Sequence, residues 1–529
     1  MARPRSSIST TTLAIIVAVV VVVAAVGGAV AYVATRKPVT TTVTSTVVAT
    51  TTSVVTSTVP VTTTTTTPTV TTIVFYTWWA TTGKVALDHL IKAFETAYPQ
   101  YAVSLELVPG AGGTNAKYAI LALIEAGKPP TTFQSLLGAS MASYALAAPQ
   151  GVRSFVNLTP VLESMGLLSP STVVFPIMEA AAYNGTILSA PVSVHSGFVL
   201  YMNLKLLREY DLPIPTNLST LVYDTVQLAK HGVYAWAVPG GDGGYDQEQL
   251  WFAIFLALGG PKLMDELLYG TINFSSPQFW KVFNETNELF LNFTSYNLPG
   301  WQSMTWSQTI TYLAEGKVAF EVDVDSATNY LYDFDNITTY PAVEPYISWP
   351  NVTVVAEPFP GTQDDFVVVS DAIAIPQSSL VGAAETFMKF WLSYQGQQVW
   401  TKWKAVTYYL NGTDWYNTPQ QWWMYQHLVN LSKTAPQNFV IDPLSLFADV
   451  DETIYSGLLT LQEVGPSYLP TWASTFESAV QHECEDWLAA AKLGLGYLGF
   501  AGEPFGGYVP PWVIVPGYYF NASYTCPSS

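Results

Sequence analysis

Charge is scarce in this chain. Of its 529 residues only 11% are Asp, Glu, Lys or Arg, against about 25% in ordinary soluble domains. Basic residues are rarest, 20 against 39 acidic ones, for a formal net charge of −19. No basic stripe exists to neutralise phosphates, so nucleic acid is excluded as a partner. Cysteine is nearly missing too. Cys484 and Cys526 stand alone, and no C-x-x-C metal or redox motif can form. The five histidines (His89, His195, His231, His427, His482) include no H-E-x-x-H pattern. "HECED", His482 to Asp486, falls in a segment whose Val480, Cys484, Trp487 and Leu488 share a helical face, the mark of a core contact. G-x-S-x-G, P-loop and dinucleotide fingerprints are all absent. "PGAGGTNAKY", Pro109 to Tyr118, is glycine-rich without a following Lys-Ser/Thr and reads as a loop entering a helix. No cofactor, no metal and no enzymatic activity are expected. Two carboxylate pairs, Asp323/Asp325 and Asp364/Asp365, keep one alternative open. Residues i and i+2 of a strand share a face, so Asp323 and Asp325 can flank a glycosidic bond at the roughly 5–9.5 Å that hydrolysis needs. A single carboxylate accepting ligand hydroxyls is the plainer reading.

What the chain has in plenty is aromatic rings: 14% of residues, with 17 Trp and 31 Tyr. Rings with few charges suit flat, neutral, hydroxylated ligands, and equally a well-packed core. "FYTWWATTGK", Phe75 to Lys84, sets the question sharply. Successive strand residues point to opposite faces. Trp78 and Trp79 therefore belong to a strand buried on both sides, or to a strand end that presents a ring.

Organisation is legible along the chain. Residues 1–37 contain an uncharged apolar run, Leu13 to Ala34, of about the 20 residues that cross a bilayer, and read as a membrane anchor or signal segment. Residues 38–72 are Thr/Ser-rich with Pro, the composition of an O-glycosylated stalk. From Ile73 the texture becomes globular α/β. "TIVFYTW" is strand-like, Leu87, Leu90, Ile91, Phe94 and Tyr98 recur at helical spacing, and "YAVSLELV" alternates as a strand. Strand, helix and strand in so few residues form a βαβ unit in a parallel sheet. A helix is expected after Pro277, another before "EGKVAFEVD", and a strand at "FVVVSDAIAIP". N-x-[ST] sequons occur at Asn157, Asn184, Asn217, Asn273, Asn284, Asn292, Asn336, Asn351, Asn411, Asn430 and Asn521, eleven of the eighteen asparagines. That enrichment points to an exterior, glycosylated body at the cell surface. There a disulfide persists, and Cys484 with Cys526 is expected to tie the C-terminal tail to a helix. Few basic residues also suit an acidic exterior, since little positive charge accumulates when carboxylates protonate.

The segments "FYTWWATTGKVALDHLIKAFETAYP", "GKPPTTFQ", "SAPVSVHSGFVLYMN", "YDQEQLWFAIFLALGGP", "WSQTITYLAEGKVAFEVDVDS" and "FPGTQDDFVVVSDAIAIP", in that order, resemble the extracellular solute-binding proteins (family 1) of ABC sugar importers. Within them they are most similar to the glucose/galactose-binding subgroup, in an archaeal-type layout of anchor, stalk and receptor. The resemblance implies a two-lobed periplasmic-binding-protein fold of the maltose-binding type that closes on sugar and delivers it to permease subunits. It implies lobe 1 from 73–188 and 323–382, lobe 2 from 189–322 and 383–493, and a C-terminal extension, 494–529. It maps ligand contacts onto Trp78, Trp79, Gln134, His195, Gln247, Gln249, Trp251, Trp306 and Asp325. The sequence departs from the subgroup at Thr81, Thr82 and Gly83, where an acidic residue is usual, at Leu136 in place of a His, and at Ser326 in place of a Trp. Two other classes remain open: a cell-surface glycan-processing enzyme, and a structural or adhesive surface glycoprotein.

Overall fold

The computed structural model describes residues 70–413, 415–500, 502–514, 519–521 and 523–528. The apolar run Leu13 to Ala34 and nearly all of the Thr-rich stalk lie outside them. Among the described residues no helix is long and apolar enough to cross a membrane.

The chain opens with β1 (Thr71–Thr77), α1 (Thr82–Ala97), β2 (Tyr101–Leu107), α2 (Thr114–Glu125), β3 (Thr132–Leu136) and α3 (Ser140–Ala147), and returns as β4 (Ser189–Pro191). It passes through β5 (His195–Ser196) into β6 (Val199–Asn203), β7 (Tyr234–Ala237), α4 (Tyr245–Leu268) and α5 (Pro277–Thr294). Then come α6 (Trp306–Ala314), β8 (Val318–Asp323), α7 (Ser326–Asp333), β9 (Tyr340–Pro341) and β10 (Val354–Pro358). The strand β11 (Phe366–Val369) leads to β12 (Asp371–Ala374), α8 (Val381–Leu392) and α9 (Tyr394–Thr401). Last come α10 (Pro419–Thr434), β13 (Phe439–Ile441), α11 (Ala448–Val464) and α12 (Leu469–Lys492).

Two five-stranded sheets make two lobes. The first has the order β2-β1-β3-β12-β4 and the second β9-β10-β6-β8-β7. β1 runs parallel to β2 and β3, with Phe75 opposite Leu105 and Thr132, so the expected βαβ unit is present. Ile73, Phe75 and Thr77 are buried at period two, and α1 buries Leu87, Leu90 and Phe94 beneath it. A three-stranded sheet, β13-β11-β5, joins the lobes. β5 carries the chain out of the first lobe and β11 carries it back. "FVVVSDAIA" is thus two strands, breaking at Ser370 and changing sheets there.

Strand pairing corrects the lobe boundaries. β10 is bonded to β6, Val355 opposite Met202, so the chain through Pro358 belongs to the second lobe and not the first. α8 and α9 pack on α1 and β1, which returns 371–404 to the first lobe. Period-two patterning reveals a strand but not which sheet it joins, and this is where the expectation failed. The C-terminal segment is no separate extension. Trp512 is fully buried, its Nε1 donating to Gly496 O at 2.8 Å. Phe500 stacks on Phe175, and Cys526 is disulfide-bonded to Cys484 of α12.

Candidate functional site

β1 ends at Thr77, and the two tryptophans divide there. Trp79 turns into the first lobe, its ring 4.9 Å from Trp400 and 5.9 Å from Trp391, nearly out of solvent. The ring occupies the space above Gly83, where a Cβ would come within 2.3 Å of it. That contact explains the missing side chain at a position where an acidic one was looked for. Trp78 stays half-buried and faces the other way, over Gly113. Gly113 has φ +105, and a Cβ there would meet the Trp78 ring at 2.8 Å, so glycine is needed on both counts.

Trp78 borders a cavity of about 320 Å³ between the lobes. Trp79, Thr81, Thr82, Asp371 and Lys404 line it from the first lobe. Asp242, Tyr245, Trp306 and Asp323 line it from the second, and His195 from the crossover. Trp306, at the start of α6, is held by its backbone N–H, which donates to Asp242 Oδ2 at 2.7 Å. The polar groups converge because the cleft ends of β1, β3, β8 and β12 meet the crossover strands here, as ligand sites of α/β sheets commonly do.

The floor is a chain of ionisable groups. His195 Nδ1 is hydrogen-bonded to Asp325, and its Nε2 lies 3.4 Å from Asp371 Oδ2. Asp371 Oδ1 accepts from Gln134 Nε2 at 2.6 Å, and Gln134 Oε1 accepts in turn from Thr77 Oγ1 and the Trp78 N–H. Burial and Lys404 press the His195 pKa down, but Asp325 and Asp371 prevail and hold it above its ordinary value. Lys404 is buried, and burial lowers its pKa against the pull of Asp371, Asp325 and Asp323. Its ammonium lies 5.5 Å from the Trp79 ring centre, within cation–π range. Asp323 Oδ1 accepts from Tyr245 OH at 2.8 Å and from the Val324 N–H at 2.7 Å. Its Oδ2 is buried with no partner in the protein. Burial lifts the Asp323 carboxyl to about 7, although those two bonds oppose the shift.

The expected contacts therefore separate into three groups. Trp78, Trp79, His195 and Trp306 line the cavity. Gln134 and Asp325 lie behind it and hold Asp371 and His195. Gln247, Gln249 and Trp251 do not border it. Gln247 bonds Gln462 of α11 and Pro239 O, and Gln249 reaches Asp442. Trp251 is fully buried among Phe252, Phe255, Phe283, Trp472 and Phe476, its indole N–H on Asn287. A polar-then-Trp pattern on a helix looks the same whether it faces a cleft or a core, and here the core took it. Asp323 and Asp325 do not share a strand face, because β8 stops at Asp323. Sequence reasoning passed over Asp371, Lys404, Tyr245 and Asp242. The one signal for Lys404 was a lysine set directly before the run "AVTYYL".

The profile of the bacterial extracellular solute-binding protein family matches residues 79–398. The chain is 56% identical over 439 residues to the glucose-binding protein GlcS of Saccharolobus solfataricus, covering 83% of this chain and 78% of that one. It is 28% identical over 321 residues to an uncharacterized ABC transporter extracellular-binding protein of Pyrococcus horikoshii, 59% of this chain and 65% of that one. Among solved structures, a chitin oligosaccharide binding protein superposes with a TM-score of 0.62 at 17% identity, over 79% of this chain and 99% of its own. Maltose-bound MalE3 of T. maritima superposes with a TM-score of 0.57 at 17% identity, over 80% and 100%. The chain belongs to the extracellular solute-binding protein family, whose members are receptors and not enzymes.

Proposed function

We propose that this chain is the sugar receptor of an ABC importer, taking a hexose such as glucose into the cleft and handing it to membrane permease subunits. The observation that carries the reading is the pairing of half-buried Trp78 from one lobe and Trp306 from the other around a cavity floored by Asp323, Asp371, His195 and Lys404. A pyranose has an apolar C–H face for a ring to cover and a rim of hydroxyls for planar acceptors and donors. Asp323 Oδ2 is an acceptor awaiting a donor, and a buried polar group left unpaired costs free energy. A wrong epimer is rejected by that cost. A cavity of about 320 Å³ is at the small end of ligand sites, ~300–1,000 Å³, which favours a mono- or disaccharide over a long oligosaccharide. The 56% identity to a glucose-binding protein supports glucose among hexoses.

In this reading residues 1–37 anchor the receptor, 38–72 form its stalk, and the body is an N-glycosylated surface protein. None of the eleven sequon asparagines is buried, as glycan attachment needs. A thermal-shift screen across mono- and disaccharides tests the reading, because a ligand of the folded state raises its melting temperature. Hexoses should give the largest rise. No rise with any sugar contradicts the proposal.

A further inference from the structure

A lone exposed apolar side chain needs no explanation, but here one spacing recurs. Among the described residues one tryptophan and one phenylalanine are exposed, Trp349 at 44% and Phe334 at 51%. Both stand two residues before the asparagine of an N-x-[ST] sequon, in "WPNVT" and "FDNIT", with Thr as the sequon's last residue. Asn351 and Asn336 are themselves exposed. Phe155 and Phe290 hold the same offset before Asn157 and Asn292 but are buried in the core. Of the Trp and Phe at this offset, Trp349 and Phe334 are therefore free to meet what their asparagines carry.

The backbone brings each ring and its asparagine together. The Val352 N–H donates to Trp349 O at 3.2 Å, closing a turn with Pro350 and Asn351 at its centre, and the ends of such a turn lie within ~7 Å. Arg208, in the short helix that follows β6, fixes this turn. Its Nη1 donates to Val352 O at 3.0 Å, and its Nη2 to Trp349 O at 2.8 Å and Ile347 O at 2.7 Å. The Trp349 ring is braced edge-on by Tyr346 and Tyr340, with ring centres 5.0 and 6.0 Å away. Phe334 follows the last turn of α7 and stacks on Tyr330, centres 4.9 Å apart. The Ile337 N–H donates back to Leu331 O at 2.8 Å, and Asn336 has φ +54, a left-handed conformation that asparagine tolerates better than most residues. Tyr330 in turn meets Trp306 of the cleft, ring centres 5.2 Å apart. Both exposed rings are thus already held in place.

We propose that Trp349 and Phe334 are platforms for the glycans of Asn351 and Asn336, each ring packing against the first pyranose attached at its own sequon. The proposal rests on the reading above that the body is N-glycosylated. In that linkage Asn Nδ2 loses a proton and bonds the anomeric carbon of a phosphate-activated sugar, whose phosphate leaves with the electron pair of the broken bond. The linked pyranose keeps an apolar C–H face, and a ring two residues away lies within its reach. Covering the ring takes aromatic surface out of water. A turn already fixed by Arg208 has little order left to lose on contact. The packed sugar then holds the turn in its folded form, so the glycan stabilises the loop instead of only coating it. A docking protein fits these rings less well, because the sugar chain on the adjacent asparagine stands in its way.

The test uses full-length protein made in a host that glycosylates asparagine, with amide hydrogen exchange of peptides spanning 346–353 as the readout. Wild type, Asn351→Gln, Trp349→Ala and the double variant form a double-mutant cycle. Asn351→Gln should speed exchange at least about fivefold, the scale of one aromatic contact. In the Trp349→Ala background the same change should alter exchange less than about twofold, and Trp349→Phe should preserve the effect. At the second site Thr338→Ala removes the sequon and spares Asn336, and its effect on 334–338 should likewise vanish with Phe334→Ala. Asn284→Gln, on α5 with buried Val282 two residues before it, should leave exchange of its own helix unchanged. An Asn351→Gln effect that persists without the ring, or an equal effect at Asn284, overturns the packing. Mass spectrometry of the same samples separates the two ways to fail. Asn351 found without a glycan overturns the glycosylated-body reading at that site together with the proposal. A glycan present without the coupling to Trp349 overturns the proposal alone.

Discussion

Lys117, on α2 of the first lobe, donates to Asp451 Oδ2 on α11 at 2.7 Å, and both side chains are buried. Asp451 also accepts from Thr114 Oγ1 at 3.1 Å, while Lys117 reaches Leu444 O at 2.8 Å. α11 packs on α4 and α5 of the second lobe, so the pair fastens one lobe to the other beside the cleft. A ligand favours a closed state only through contacts made in that state. Removing Lys117 leaves Asp451 buried without its counter-charge, the costly way to break a pair. Lys117→Met should raise the Kd for D-glucose at least about tenfold and enlarge the radius of gyration in small-angle scattering. An unchanged Kd and radius would show that the pair does not govern closure.

The tryptophan pair predicts two different losses. Trp79 packs on Trp391 and Trp400 in the first-lobe core, so Trp79→Ala should destabilise by about 3–5 kcal/mol in denaturant melts. Trp78 is half-buried at the cavity. Trp78→Ala should weaken sugar binding strongly while costing little stability. Reversed results would exchange the two roles.

Trp251 supplies the complementary case. Its ring is enclosed by aromatic neighbours, away from the cavity. Trp251→Phe should lower the melting temperature and leave the sugar Kd within about twofold, since core volume loss acts on stability. A large loss of affinity with an unchanged melting temperature would return Trp251 to the ligand.

Stability should fall as pH rises. Burial raises the carboxyls of Asp246, Glu248 and Glu321, and lifts Asp442 to about 7. Both carboxylate oxygens of Asp246 and of Glu248 are buried without a hydrogen-bond partner. The folded state thus holds protons to higher pH than the unfolded chain, whose carboxyls titrate near 4. Where the folded state binds more protons, stability decreases with rising pH. The stabilisation is complete below the unfolded pKa and is lost as pH climbs through about 7. His195, also raised, acts in the same direction, while Lys404 and His427 are lowered and oppose it. The melting temperature should be higher at pH 4 than at pH 8. A steep fall between pH 6 and 3 would contradict this.

Much of this architecture was legible beforehand. Leu87, Leu90 and Phe94 sit at helical spacing because only one face of α1 meets the sheet, and that asymmetry is written in the sequence. The end of β1 just before Trp78 was legible as a question, and packing answered it. The cavity floor was harder to see. Asp371, Lys404 and Asp323 come from segments far apart in the chain and meet only because β11 and β12 change sheets at Ser370. Local patterning carries no record of that crossing. For the same reason the lobe boundary expected at 322/323 was misplaced, since the chain stays in the second lobe through Pro358, and Gln247 was drawn into the site. Resemblance located the helix but not the side of it that faces the cleft.

The central claim is that one sugar binds between the lobes, against Trp306 on one side and Asp371 on the other. Calorimetric titration of D-glucose into the wild type, Trp306→Ala and Asp371→Asn tests it most directly. The prediction is one site per chain in the wild type and a loss of at least about 100-fold, ~2.7 kcal/mol, in each variant, with folded-state circular dichroism unchanged. Wild-type affinity in both variants, or no binding by the wild type, would contradict it.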